Sequence, residues 1–272
     1  MPKRVNAMYF SATGTTEKVV TEIASEIAGT ASGCGEVRLI DFTHPDRRKE
    51  AVSFSGEDIV IFGVPVIAGR VPNVLLKYLR SINAGGAVAA AVVVYGNRNY
   101  DDALAELTDI LEADGFRVAA GAAFIGEHSF SKVLAKGRPD EKDIAAAADF
   151  ARSLFRKIAS GERIATPAVK GERPYRSYYM PRDREGNPVD IRKVTPKTSS
   201  SCTGCGICAE ACPMGSIDLG DTSVLKGICI KCCACVKKCP VQAKSFDDEK
   251  YLNHKNELEA EFSARREPEM FI

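Results

Sequence analysis

Several common features are scarce or missing in this 272-residue chain. It has no tryptophan and only three histidines, and no apolar run approaches the ~18 residues that a membrane-spanning helix needs. Its 37 basic and 36 acidic side chains leave a net charge of +1, so no excess charge points to nucleic acid or a lipid surface. The N-terminus lacks the apolar segment of a secretory signal, and we therefore expect a cytoplasmic protein.

Cysteine is abundant by contrast, and it is concentrated in one region. Nine of the ten cysteines lie between Cys202 and Cys239, while Cys34 stands alone between two glycines and has no assigned role. In a chain without an export signal, such crowding indicates metal ligation rather than disulfides.

The crowded cysteines form two copies of one pattern, C-x2-C-x2-C-x3-C-P, which indicates an internal repeat. The first copy contains Cys202, Cys205, Cys208, Cys212 and Pro213. The second copy contains Cys229, Cys232, Cys235, Cys239 and Pro240. Three closely spaced thiolates can hold one face of a 4Fe–4S cube, and the fourth cysteine of each run ligates the other cluster.

This crossing predicts two ligand sets. One cluster takes Cys202, Cys205, Cys208 and Cys239, and the other takes Cys229, Cys232, Cys235 and Cys212. Zinc is the alternative, but its ligands come in well-separated pairs, which two complete four-cysteine runs do not match. Cys233 lies out of register, where the first run has Gly206. It is either a small buried residue beside the cluster, which we favour, or a spare ligand or redox thiol.

These residues resemble the clostridial-type ferredoxins, which hold two 4Fe–4S clusters. The resemblance covers about 45 residues and all eight ligand positions. It implies a small α+β ferredoxin-like domain at residues 201–246 and low-potential, one-electron transfer.

The first 160 residues alternate between apolar strands and amphipathic helices. Strands are predicted at residues 4–10, 37–42, 58–66, 87–95 and 116–125, and helices at 16–28, 72–82, 101–114 and 140–160. Strands that are apolar on both faces and separated by helices indicate a parallel sheet covered on both sides. The prediction is a doubly wound α/β domain, which binds ligands beyond the carboxyl ends of its strands.

The loop after the first predicted strand is rich in hydroxyl groups and precedes a helix. A glycine turn and open amides at a helix N-terminus suit a phosphate. The candidate residues are Ser11, Thr13, Gly14, Thr15 and Thr16. The loop lacks the lysine of a P-loop and the glycines of a dinucleotide fingerprint. The alternative is a simple helix cap.

Two further loops end at the same edge of the predicted sheet and could enclose a flat ring. The first offers Pro65, Val66, Ile67 and Ala68. The second offers Tyr95, Gly96, Asn97, Arg98, Tyr100 and Asp101. We expect Tyr95 or Tyr100 to stack on the ring, while Asp101 or Asp102 could also help cap the following helix.

Residues 1–160 resemble the flavodoxin superfamily, whose S-x-T-G-x-T loop is present as residues 11–16. This resemblance implies a five-stranded parallel sheet of order 2-1-3-4-5 and FMN, with its phosphate in the first loop and its ring between the other two. The whole chain resembles the flavodoxin–ferredoxin fusions of anaerobes known as EFR1-family ferrodoxins. The missing tryptophan and the short third loop depart from many flavodoxins.

Two segments remain outside these units. Residues 161–200 hold five prolines and many arginines, and we expect an extended linker that packs on one domain. Residues 247–272 form a charged tail that we expect to be partly helical.

The combination predicts an electron-transfer iron–sulfur flavoprotein that converts one-electron into two-electron steps for a partner redox enzyme. Arg98 or nearby amides could stabilise a reduced, anionic flavin. The alternative is an FMN-dependent reductase of a small molecule, with His128 as a proton donor, although a loop histidine is more often merely exposed. A nucleic-acid binder is disfavoured because acids and prolines interrupt the linker arginines. The partner is expected to be a redox protein, and a homodimer is left open.

Overall fold

The computed structural model of the chain describes residues 4–30, 36–183 and 186–272. Cys34 lies outside the described residues. Within the described ranges, no helix is both long and apolar enough to cross a membrane.

The N-terminal part is built on a parallel sheet whose inner strands are buried on both faces, while its edge strand at residues 38–41 is mostly exposed. Its strands are β1 (Arg4–Tyr9), β2 (Arg38–Asp41), β3 (Asp58–Pro65), β4 (Val88–Tyr95) and β5 (Arg117–Ile125). They pair in the order β2-β1-β3-β4-β5, all parallel. Every residue of β4 is buried, as expected for a strand covered by helices on both sides. The predicted fold class is confirmed.

Helices cover the two faces of the sheet separately. On one face lie α1 (Thr15–Thr30) and α4 (Glu141–Ala159). On the other lie α2 (Leu76–Leu79) and α3 (Ala103–Ala113). A reciprocal capping box starts α4: the Asp140 side chain accepts the Asp143 amide proton, and the Asp143 side chain accepts that of Asp140.

The structure corrects two details of the prediction. The helix expected over residues 72–82 is a 3-10 turn at Asn73–Leu75 followed by the single turn of α2. Its end tightens because Ser81 and Ile82 donate to carbonyls three residues back. The sheet also has a sixth strand, β8 (Glu269–Phe271), in which the tail pairs antiparallel with β5.

The cysteine-rich part is small and has few regular elements. It contains β6 (Lys197–Thr198), α5 (Ile207–Glu210), α6 (Ala234–Lys237) and β7 (Lys244–Ser245), and β6 pairs antiparallel with β7. The tail then forms α7 (Glu249–Glu261), whose first turn is capped by the Asp248 carboxylate.

This cysteine-rich part packs on the edge of the sheet where the parallel strands end. Arg48, in the segment after β2, donates to the Pro213 carbonyl at 2.8 Å. Lys237 of α6 donates to the His128 carbonyl, in the loop after β5, at 2.9 Å. Ala234 is fully buried in the hydrophobic core that includes α2 and α3. The cysteines and the predicted cofactor loops therefore share one side of the molecule.

Candidate functional site

The four cysteines predicted for the first cluster surround one open hollow. This first hollow has about 290 Å³ of empty space and is lined by Cys202, Cys205, Cys208 and Cys239. The fourth cysteine of the second run thus joins the first three of the first run, which is the crossing that the repeat predicts. Cys205 is exposed, so this hollow is open to solvent.

The remaining four predicted ligands surround another hollow. This second hollow has about 380 Å³ of empty space and contains Cys212, Cys229, Cys232 and Cys235. Cys233 also lines it. Cys232 packs against the core of the sheet domain, so the second hollow lies on the sheet side of the cysteine-rich part.

No three cysteine, histidine or carboxylate side chains within the described ranges are grouped so that they could hold a metal ion. A single zinc ion needs its ligand atoms grouped around one centre. The thiolates of a 4Fe–4S cube each bind a different iron, so they stand apart around a larger body. Each hollow has four cysteines of the repeat in its lining, which is the number that one cube needs.

Burial makes the second hollow unfavourable for free thiolates. It raises the pKa of Cys232 and of Cys235 to about 12. Because iron binds the thiolate and not the thiol, an iron–sulfur cluster held by these cysteines would have to displace their protons.

Backbone amides already point at several of the sulfurs. The Ser216 amide donates to Cys212 Sγ at 3.3 Å, and the Ala243 amide donates to Cys239 Sγ at 3.2 Å. Such bonds to cluster sulfurs tune reduction potentials.

The repeat also explains the position of Cys233. Gly206 and Cys233 precede α5 and α6 with φ of +79° and +58°, the left-handed region that glycine adopts most easily. The Cys233 side chain is buried and lies 3.5 Å from the Tyr251 hydroxyl. It has the features of a small buried residue beside the hollow, the alternative that the sequence favoured.

The first cofactor loop presents a set of unused amides. The backbone N–H groups of residues 12–16 donate to no protein acceptor within the described chain. The Ser11 hydroxyl accepts the Glu17 amide at 3.0 Å, which holds the loop against the start of α1. Gly14 has φ of +88°. Open amides at the N-terminus of a 16-residue helix form a concavity suited to an anion.

The second loop forms a tight turn beside the third. Ile67 and Arg70 exchange two backbone hydrogen bonds of 3.1 Å, while Ala68 and Gly69 have positive φ. The Val66 amide donates to the Val94 carbonyl at 2.8 Å. This bond extends the pairing between β3 and β4 by one residue beyond Pro65.

The third loop differs from the prediction in the placement of its aromatic rings. Tyr95 and Tyr100 are both 4% exposed and pack against each other, with ring centroids 5.5 Å apart. The Tyr100 hydroxyl donates to Glu269 of the tail. In this conformation neither ring offers a free face for stacking, because both belong to the core of the domain.

The other polar residues of this loop are engaged by the chain itself. Arg98 forms an ion pair with Asp101. The Asn97 side chain donates both amide hydrogens, to the Phe262 and Ala264 carbonyls at 2.6 and 2.8 Å. Its Oδ1 atom is buried and has no partner. A buried acceptor without a donor is rare in folded proteins, so the third loop has room for one more hydrogen bond.

His128 packs tightly against the same loop. Its ring would collide with any side chain at Gly96, and its Nδ1 atom accepts the Phe130 amide at 3.1 Å. Burial and the neighbouring Lys237 lower the pKa of His128 to about 4. The residue is half-buried and neutral near pH 7, which gives no support to a role as proton donor.

The linker and the tail cover this edge of the sheet. The sequence predicted that the linker packs on a domain, but it indicated neither the place nor the part played by the tail. The buried Asp102 carboxylate accepts the Glu172 and Arg176 amides at 2.8 and 2.7 Å and pairs with the Arg176 guanidinium. The adjacent acids at positions 101 and 102 suggested a helix cap, but Asp102 makes no capping bond. The tail adds His254 of α7, whose pKa burial lowers to about 4.

Comparison with known families identifies part of the cysteine-rich region. Residues 196–218 match the family described as the 4Fe-4S binding domain, and the match includes Cys202, Cys205, Cys208 and Cys212. No curated protein matches the chain.

Solved structures similar to the N-terminal part include flavodoxins. A flavodoxin from the domain Archaea is 17% identical with a TM-score of 0.40, over 57% of this chain and 99% of its own. The flavodoxin of Streptococcus pneumoniae TIGR4 is 16% identical with a TM-score of 0.40, over 57% and 99%. Rubredoxin oxygen:oxidoreductase of Desulfovibrio gigas is 20% identical with a TM-score of 0.42, over 58% and 37%. Because these TM-scores are low, the fold assignment rests on the strand order of the sheet.

Proposed function

We propose that this chain is an electron-transfer iron–sulfur flavoprotein that holds two 4Fe–4S clusters and FMN, as in flavodoxin–ferredoxin fusions of the EFR1 type. One observation carries the proposal. Two hollows, each lined by four cysteines of the repeat, pack on the same sheet edge as a loop of unused amides. When bound, the clusters supply one-electron steps and FMN supplies one- or two-electron steps.

The residues of the first loop fit the phosphate of FMN. The amides of residues 12–16 are free to donate, and the positive end of the α1 dipole favours a negative charge there. Lys18 is engaged with the Pro139 carbonyl, so neutral donors would hold the phosphate. At the third loop, the unpartnered Asn97 Oδ1 can accept a hydrogen bond from a ring N–H.

The two hollows differ in exposure, which supports an order in which electrons pass through them. Cys205 of the first hollow is exposed, and Leu219 beside it is 65% exposed. The second hollow packs on the sheet domain. We therefore propose that a redox partner docks at the first hollow and that the second hollow is the one closer to the flavin.

The geometry of the site gives little support to the alternative function, an FMN-dependent reductase. It requires a proton donor near the ring, and the candidate His128 is neutral and already uses its Nδ1 atom. The carrier is therefore the better-supported function.

The proposal is tested by following electrons into the flavin. The full chain is reconstituted anaerobically with iron, sulfide and FMN, then mixed with a reduced plant-type ferredoxin, and bleaching of the flavin band is timed. Cys205→Ser removes one ligand of the first hollow, while Thr203→Ser is a matched control in the same lining. We expect severalfold slower bleaching in Cys205→Ser alone. Equal rates in both variants would contradict a path through the clusters.

A further inference from the structure

Tyr179 of the linker contacts both loops that are expected to hold the flavin ring. Its backbone N–H donates to the Ala68 carbonyl of the second loop at 2.8 Å. The Arg98 guanidinium of the third loop lies over its ring, 4.1 Å from the centroid. The residue is 37% exposed, and because Arg98 covers one face of its ring, a flat ligand would have to use the surface that Arg98 leaves open.

The linker is held firmly at this place. Upstream of Tyr179, Asp102 fixes the backbone at Glu172 and Arg176 through two amide hydrogen bonds. Arg70 of the second loop donates to the Arg176 carbonyl at 2.6 Å and pairs with the buried Glu106. Tyr179 is therefore placed by anchored backbone and not by a loosely attached segment.

The chain offers few other aromatic rings for this role. Tyr95 and Tyr100 are buried against each other, and the sequence has no tryptophan. Tyr179 is the partly exposed ring that touches the second and third loops together.

Tyr179 also begins a column of packed rings that ends at the second hollow. Its ring lies 5.9 Å from that of His254, which lies 6.3 Å from that of Phe130. Phe130 lies 4.7 Å from Tyr251, whose hydroxyl is 3.5 Å from Cys233 Sγ. These four rings, the aromatic column, give continuous contact from the cofactor loops to the second hollow.

We propose that Tyr179 forms the aromatic wall against which the isoalloxazine ring of FMN stacks, and that the aromatic column connects this wall to the second hollow. The proposal rests on the proposed function and adds to it a ring-binding residue outside the flavodoxin-like domain. The geometry explains how a flavodoxin-like domain without tryptophan can still stack its flavin: the linker supplies the ring.

The test is FMN binding by the full chain, loaded with iron and sulfide, in which each variant is titrated with FMN and flavin fluorescence is recorded. Stacking on tyrosine quenches this fluorescence, and one aromatic pair contributes about 0.5–1.5 kcal/mol, or roughly a two- to twelvefold change in Kd. Tyr179→Leu is expected to weaken binding by such a factor and to make bound FMN brighter, while Tyr179→Phe retains the wild-type values.

Tyr178→Leu is the matched control. It removes a neighbouring tyrosine that packs on Arg70 and bonds the Val71 carbonyl, and it should leave bound FMN quenched. Wild-type affinity and quenching in Tyr179→Leu, or tighter binding because the tyrosine blocks the site, would overturn the inference while leaving the proposed function intact. Failure of the wild-type chain to bind FMN would overturn the proposed function and this inference with it.

Discussion

The anchoring of the linker by Asp102 can be tested by the substitution Asp102→Asn. The carboxylate is fully buried, and its bonds to Arg176 and to the amides of Glu172 and Arg176 lower its pKa to about 2. Against the ordinary value of 3.8, this shift corresponds to about 2 kcal/mol of folding free energy. Because Arg176 is 47% exposed, solvent screening reduces the figure to about 1–2 kcal/mol.

The lowered pKa of Asp102 determines how this stabilisation changes with pH. The stabilisation is fully present above pH 3.8 and is lost as the pH falls through about 2. Asparagine keeps the shape but has no charge at any pH. We expect Asp102→Asn to unfold at lower urea concentration than wild type at pH 7, with a difference that shrinks below pH 4.

Asp149→Asn is the control, since Asp149 pairs with Arg152 on the surface and is 72% exposed. Exposed pairs contribute little, and we expect a change within about 0.5 kcal/mol. Equal urea midpoints for Asp102→Asn and wild type would refute the claim that this carboxylate fixes the linker.

Two further predictions concern a half-buried and a buried titratable group, Asp114 and His254. Burial raises the pKa of Asp114 to about 6, and its Oδ2 atom has no partner, so its charge becomes a penalty as the pH rises through that value. Asp114→Asn should raise stability by about 1–2 kcal/mol at pH 7 and hardly at all at pH 4, and the same gain at both pH values in thermal unfolding would count against this cause. Burial lowers the pKa of His254 to about 4. The contribution of the neutral His254 to stability is therefore fully present above pH 6.5 and is lost as the pH falls towards 4. Urea unfolding should show a loss of about 2 kcal/mol from this group between pH 7 and 5, and the loss should be correspondingly smaller in His254→Leu; an equal loss in the variant would assign it elsewhere.

Much of the fold of the sheet domain can be predicted from the local sequence pattern. The five parallel strands lie within two residues of their predicted bounds. The inner strands were recognisable because apolar runs such as that of β4 are buried on both faces, whereas the edge strand β2 is mostly exposed. The tail strand β8 was missed because its three residues carry no such pattern, and its pairing with β5 depends on long-range packing.

The candidate site also has a part that the sequence predicts and a part that it does not. The repeat alone predicts the two sets of four cysteines, since the ligand spacing encodes the crossing. The orientation of Tyr95 could not be predicted, because in a strand buried on both faces period-two alternation does not distinguish the inside from the ligand edge. Tyr100 lies in the loop after β4, where the sequence carries no periodicity that would place its ring. Tyr179 was missed because it lies in a linker without regular structure, whose position depends on long-range contacts with Asp102, Arg70 and Ala68.

The most direct test of the central claim is cofactor stoichiometry. The full chain is purified without oxygen, and iron, acid-labile sulfide and flavin are assayed beside an optical spectrum. The account predicts about eight irons and about one FMN per chain. Eight irons without flavin would contradict the role of the flavodoxin-like domain, and about four irons would contradict the assignment of one cluster to each cysteine-lined hollow.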